Sequence, residues 1–92
     1  MHITTRALFF RDGRNIIALS PELGISSWGN SVDDASRNLQ EAVRLYCETA
    51  RDQNDLVEVL EDAGYSREAP GMPWVPPPLL EQRDVDVEFD EQ

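Results

Sequence analysis

The side chains that could carry chemistry in this 92-residue chain are few and widely separated. His2 is the only histidine, and no acid–base partner stands beside it in the sequence. Cys47 is the only cysteine, which excludes an internal disulfide and leaves a thiolate metal site without further thiol ligands. We therefore expect no catalytic histidine and no metal site, and we expect Cys47 to be a small buried residue.

Two adjacent carboxylates, Asp33 and Asp34, are the remaining candidates for metal-dependent chemistry. A nuclease needs several carboxylates around Mg²⁺, and the first strand-like segment supplies none. Asp33 and Asp34 instead follow Ser31, which is a favoured helix-capping residue, and acids at that end suit the helix dipole. The chain also has no Gly-x-Ser-x-Gly motif and no glycine-rich phosphate loop. The sequence thus predicts no enzyme and no cofactor.

Three strand-like segments precede this acidic pair. Apolar and β-branched residues alternate over His2–Phe10, and Asp12-Gly13 predicts a tight turn into a second strand over Asn15–Leu19. Pro21 ends the second strand because proline lacks a backbone donor, and a short third strand covers Ile25–Trp28.

Helical periodicity follows the strands. From Ser31 onward, apolar residues recur at steps of three and four for about 18 residues. They are Ala35, Leu39, Ala42, Val43, Tyr46, Cys47 and Ala50. A shorter helix fits Asp55–Ala63 and ends at Gly64. The order predicts an α+β fold with a small three- to four-stranded sheet, one long helix packed on it and a short second helix. Residues 1–64 form the predicted domain, and residues 65–92 a proline-rich connection and an acidic end.

The last segment has two interpretations. Five of the six prolines fall within residues 70–78, which excludes a helix there. Asp84–Phe89 then alternates strictly between acidic and apolar residues. It is either a fourth strand or an acidic tail that orders only on binding. We favour the strand, because a tail without a structural role has no reason to alternate.

Charge narrows the class of partner. The chain has 18 acidic residues against 8 basic ones, all arginine, for a net charge of −10. Residues 1–30 carry net +1, whereas residues 31–69 carry −6 and residues 70–92 carry −5. Such a chain is repelled by nucleic acids and anionic membranes and suits a basic protein partner. The single cysteine and the absence of a long apolar segment indicate the cytoplasm.

The stretch from Leu8 to Gly64 resembles the HicB-like antitoxin family. The matching features are the Asp12-Gly13 hairpin, the Ser-Pro-Glu-Leu turn at 20–23, and Ser27-Trp28-Gly29-Asn30-Ser31. Asp33-Asp34-Ala35, Asn38-Leu39 and Glu41-Ala42-Val43 complete the pattern. Asn30 and Ser31 stand where the family usually has Asp and Thr, and both changes keep the turn and cap chemistry.

The resemblance implies a truncated ribonuclease-H-like arrangement and a partner, a small basic RNA-cleaving toxin of the HicA type. It therefore implies a short-form antitoxin, since no basic helical pattern for a DNA-binding domain follows Gly64. The alternative is an orphan HicB-like domain, a stand-alone oligomer with a regulatory or scaffold role and no toxin.

Six residues are candidates for partner binding. They are Trp28, Trp74, Asp84, Asp86, Glu88 and Asp90. Each tryptophan either packs within the chain or anchors an interface, and the acidic residues would face a cationic surface. The edges of a small open sheet also predict a homodimer or tetramer.

Overall fold

The five regular elements of the fold follow one another without a crossover. The computed structural model describes residues 1–91. The elements are β1 (Leu8–Asp12), β2 (Asn15–Ser20), β3 (Ile25–Gly29), α1 (Val32–Asp52) and α2 (Leu56–Asp62). The predicted α+β class, with one long and one short helix, is confirmed.

The sheet is antiparallel in the order β1-β2-β3. Asp12 pairs with Asn15 across the first turn, where Gly13 adopts a φ of 62°. This left-handed conformation is the reason why glycine favours such a turn. The predicted hairpin is therefore confirmed.

The first strand begins later than the alternation predicts. Ile3 bridges in parallel to Trp74, with the Thr4 N–H donating to the Trp74 carbonyl at 3.1 Å. The Trp74 N–H in turn donates to the His2 carbonyl at 2.8 Å. The amino-terminal part of the predicted strand therefore pairs with the segment around Trp74, near the other end of the chain, and not with β2.

Helix α1 begins as the capping pattern predicts. The Ser31 hydroxyl accepts a hydrogen bond from the Asp34 N–H at 3.1 Å, and Asp33 and Asp34 occupy the first turn. The apolar stripe of the helix packs on β2 and β3. The stripe residues next to the sheet, Ala35, Leu39 and Val43, are therefore part of the hydrophobic core.

Two clusters of buried side chains make the core. The first joins the sheet to α1 through Ile16, Ala18, Ala35, Leu39 and Val43. The second lies at the far end of α1 and comprises Ala50, Leu56, Leu60, Tyr65 and Trp74. Because Tyr65 and Trp74 belong to it, the chain beyond residue 64 continues the same packed body as far as Trp74.

No strand forms over Asp84–Phe89 within the chain. The segment has no regular structure, and all its side chains are exposed. The preference for a fourth strand is therefore wrong for the single chain: alternation suits a strand, but a strand needs a neighbour to pair with.

The junction between β3 and α1 tolerates no side chain at Gly29. A Cβ there would lie 2.5 Å from the Ala35 backbone nitrogen and 2.7 Å from the Asp34 Cβ. We expect Gly29→Ala to lower the free energy of unfolding by about 2 kcal/mol, through overpacking against the first turn of α1. Urea denaturation followed by tryptophan fluorescence measures the loss.

Gly24→Ala is the matched control, because its Cβ meets no atom within 4 Å and only its φ of 68° opposes the substitution. We expect it to cost about 1 kcal/mol. Equal losses for the two variants would contradict a steric origin at Gly29.

Candidate protein-binding surface

The sheet has a buried face and an exposed apolar face. Along β2, Ile16 and Ala18 are buried against α1, so Ile17 and Leu19 point the other way. Residues paired across antiparallel strands share a face. Leu8 pairs with Leu19, Phe10 with Ile17, and Ile17 with Trp28. These five side chains, Leu8, Phe10, Ile17, Leu19 and Trp28, form what we call the outer face.

On the outer face, Phe10 and Trp28 are exposed, whereas Leu8, Ile17 and Leu19 are half-buried. Phe10 is 51% exposed and Trp28 is 58% exposed, and none of the five residues is charged. Contiguous apolar surface of this kind is typical of interaction sites. Trp28 therefore lies where a partner can reach it.

Trp74 has the opposite environment. Its side chain is only 2% exposed and packs in the second core cluster, with the Arg67 guanidinium 4.4 Å from the ring centroid. Of the two alternatives for this residue, the structure supports packing within the chain. Trp74 is not available as a surface contact, because a partner cannot reach a side chain this buried.

The base of the carboxy-terminal segment is anchored by Arg6. One arm of its guanidinium donates to Glu22 Oε2 at 2.6 Å, and the other donates to the Pro77 carbonyl at 2.8 Å. The pair is mostly shielded from solvent, since the Arg6 and Glu22 side chains are 24% and 13% exposed. Arg6 thereby links the start of the sheet, the β2–β3 turn and the proline segment. No sequence motif marks this role.

The acidic tail, residues 81–91, extends beyond that anchor. Asp84, Asp86, Glu88 and Asp90 are all exposed, and none makes an ion pair with another described residue. Their carboxylates are thus presented to solvent along one extended segment. The six predicted residues do not form one site, because Trp28 lies on the sheet, Trp74 in the core and the carboxylates on the tail.

A cleft of about 730 Å³ separates the amino-terminal segment from α1. Its lining includes His2 and Cys47, the two residues with the best-known catalytic chemistry in the chain. Burial raises the pKa of the Cys47 thiol, which is the opposite of the shift that activates a nucleophilic cysteine. No group of three or more His, Cys, Asp or Glu side chains within residues 1–91 is placed to hold a metal ion.

No family model matches the chain, and neither a curated protein nor a solved structure shows significant similarity to it. Neither helix within residues 1–91 combines the length and the apolar composition that crossing a bilayer requires.

Cys47 is half-buried rather than fully buried as the sequence predicts, and its pKa gives a direct test of this partial protection. Because the pKa is raised, we expect the native thiol to react more slowly with a disulfide reagent than the unfolded thiol at pH 7.5. Its rate should also reach half-maximum at a higher pH. Folding stability contributed by the protonated thiol is complete below pH about 8.5 and falls as pH rises through the folded pKa.

The measurement compares the reaction rate in buffer and in guanidinium chloride between pH 6.5 and 10, and the single cysteine makes the signal unambiguous. Equal rate profiles in the two solvents would show that Cys47 is not protected.

Removing Arg6 tests the anchor. We expect Arg6→Met to lower the free energy of unfolding by about 2 kcal/mol, because it leaves the shielded Glu22 carboxylate without its cation. Pairing it with Glu22→Gln should restore part of the loss. Urea denaturation gives both values.

Arg37→Met is the control, since the Arg37–Asp34 pair lies on the exposed surface of α1. We expect it to change stability by less than about 0.5 kcal/mol. An Arg6 variant as stable as this control would mean that the anchor contributes nothing.

Proposed function

We propose that this chain is a HicB-like antitoxin, a binding protein that neutralises a small basic RNA-cleaving toxin by covering its cationic surface. The observation that carries the proposal is the acidic tail, whose carboxylates at Asp84, Asp86, Glu88 and Asp90 are exposed and unpaired within the described chain. A nuclease that binds RNA needs a basic surface, and an exposed row of carboxylates can occupy that surface in place of phosphates.

Tethering makes the tail more effective than a free acidic peptide would be. The tail leaves a body in which Arg6 holds the Pro77 carbonyl, and Pro76, Pro77 and Pro78 restrict the chain that follows. A partner seated on the body therefore meets the carboxylates at a high effective concentration.

The outer face supplies the apolar contact that charge alone lacks. Charged contacts at the rim of an interface mainly set the association rate, whereas buried aromatic side chains slow dissociation. Trp28 and Phe10 are the largest exposed side chains on this face, so we assign the apolar part of the interface to them. The element order of strand, strand, strand and helix further supports the HicB-like interpretation.

One feature favours the alternative of an orphan oligomeric domain. Strand β1 lies at the edge of the sheet, and the outer face beside it is apolar. A second copy of the chain can cover this edge and this face equally as well as a toxin can. The two functions differ in whether a basic partner exists.

Co-expression tests the antitoxin function. The chain is produced together with the product of the reading frame that adjoins its gene, and that product's net charge, cell growth and co-purification are measured. We expect the chain to relieve toxicity and to bind with an affinity that falls at least about tenfold when the four tail acids become Asn or Gln. The variant is Asp84→Asn, Asp86→Asn, Glu88→Gln and Asp90→Asn.

The matched control neutralises four exposed acids elsewhere: Glu58→Gln, Glu61→Gln, Asp62→Asn and Glu68→Gln. It changes the net charge equally, so an equal loss of affinity would assign binding to overall charge rather than to the tail. If the neighbouring protein is not basic, or if its toxicity persists, the antitoxin function is wrong. The alternative function, an orphan oligomeric domain, then remains.

A further inference from the structure

The first observation is an imbalance among the arginines. Five of the eight form ion pairs within the chain, namely Arg6, Arg37, Arg44, Arg51 and Arg83. Arg67 lies over the ring of Trp74. Only Arg11 and Arg14 have neither contact within residues 1–91, and they flank the β1–β2 turn. The hairpin tip is therefore the place where this acidic protein offers free positive charge.

The second observation is the free edge of the sheet beside that tip. The strand order leaves β1 with β2 on one side, and no other segment of residues 1–91 pairs with its second side. An open edge of this kind is a template for another strand. Alternation places Leu8 and Phe10 on the outer face and Phe9 and Arg11 on the opposite side.

The third observation is the pattern of the acidic tail. Val85, Val87 and Phe89 are 77%, 74% and 79% exposed, and they alternate with Asp84, Asp86 and Glu88. A strand added to the free edge of β1 with its apolar side chains beside Leu8 and Phe10 would place its carboxylates on the side of Arg11. This placement matches apolar with apolar on the outer face and sets the carboxylates on the side that carries Phe9 and Arg11, where Arg11 supplies the positive charge.

The tail does not use this edge in its own molecule. Pro76, Pro77 and Pro78 begin the segment, and the radius of gyration of 15.6 Å exceeds the roughly 12 Å of a compact chain of this length. The tail therefore extends away from the body, within reach of another molecule.

We propose that two copies of the chain exchange tails, each inserting residues 84–89 as a fourth strand on the free edge of β1 of the other. Two reciprocal strands close a symmetric dimer and remove one exposed edge from each sheet. The added Val85, Val87 and Phe89 enlarge the outer face. This exchange requires only the chain itself and goes beyond the proposed toxin partner, which would compete with it because both use the carboxylates of the acidic tail.

The molar mass of the full chain, measured by light scattering after gel filtration, tests the exchange. The chain is loaded at about 5 to 500 μM, roughly the range in which weak dimers form. We expect a concentration-dependent dimer. Val87→Pro should weaken it at least tenfold, since proline removes a ladder donor without changing the charge. Val87→Thr is the control at the same position, because threonine keeps the backbone donor and suits a strand. We expect it to change the dimer affinity by less than about threefold.

A charge exchange tests the register independently. Arg11→Glu with Arg14→Glu should weaken the dimer at least tenfold, and adding Asp86→Arg with Glu88→Arg should restore it. Arg37→Glu with Arg51→Glu changes the net charge equally on α1 and should leave the dimer nearly unchanged.

A chain that is monomeric at every concentration overturns the exchange. A dimer whose affinity changes neither with Val87→Pro nor with the Arg11 and Arg14 substitutions overturns it as well. Hydrogen exchange that shows a protected tail in a monomer would mean pairing within one molecule, and this also overturns it. A monomer that still neutralises the basic partner refutes the exchange alone, whereas a tail-exchanged dimer without such a partner refutes the antitoxin function alone.

Discussion

Burial of the Trp74 indole joins the two ends of the ordered body. Its backbone pairs with His2 and Thr4, while its side chain packs on Leu60 and Tyr65 at the far end of α1. Truncating a buried tryptophan to alanine typically costs about 3–5 kcal/mol. A small domain has a total stability of only about 5–15 kcal/mol, so this one side chain accounts for a large share of it. The amino-terminal segment, α2 and the proline segment all depend on that contact for their positions.

This arrangement explains why the tail begins where it does. Trp74 pairs with Ile3, and the residues that follow it lie beside Arg6. The Arg6 guanidinium donates hydrogen bonds to the Pro77 carbonyl and to the Glu22 carboxylate. Beyond that point all side chains of the described chain, from Pro78 onward, are exposed. The Arg6 hydrogen bond to the Pro77 carbonyl therefore lies just before the part of the chain whose side chains are all exposed.

Local patterns predicted the elements that depend on local chemistry. The Ser31 cap, the apolar stripe of α1 and the Asp12-Gly13 turn each follow from a few neighbouring residues, and each is present. The pairing of Ile3 with Trp74 joins residues far apart in the chain, so neither segment predicts it from its own sequence. Asp84–Phe89 has the alternation of a strand, but alternation says nothing about whether an edge is within reach. Of the predicted site residues, Trp28 and the tail acids are exposed and Trp74 is not, because exposure is decided by tertiary packing.

The separation of charge along the chain shapes what the surface can bind. The sheet comes from the one third of the sequence that is net positive, while the helices and the tail carry the negative charge. The five residues of its outer face carry no charge, although the molecule as a whole is strongly acidic. Stacking of two outer faces would bring two acidic bodies together, and their repulsion opposes it. Contacts that match acid with arginine avoid this cost, whether the arginine belongs to a basic partner or to the hairpin of a second copy. The same carboxylates thus disfavour indiscriminate association through the outer face and favour association with a complementary charge.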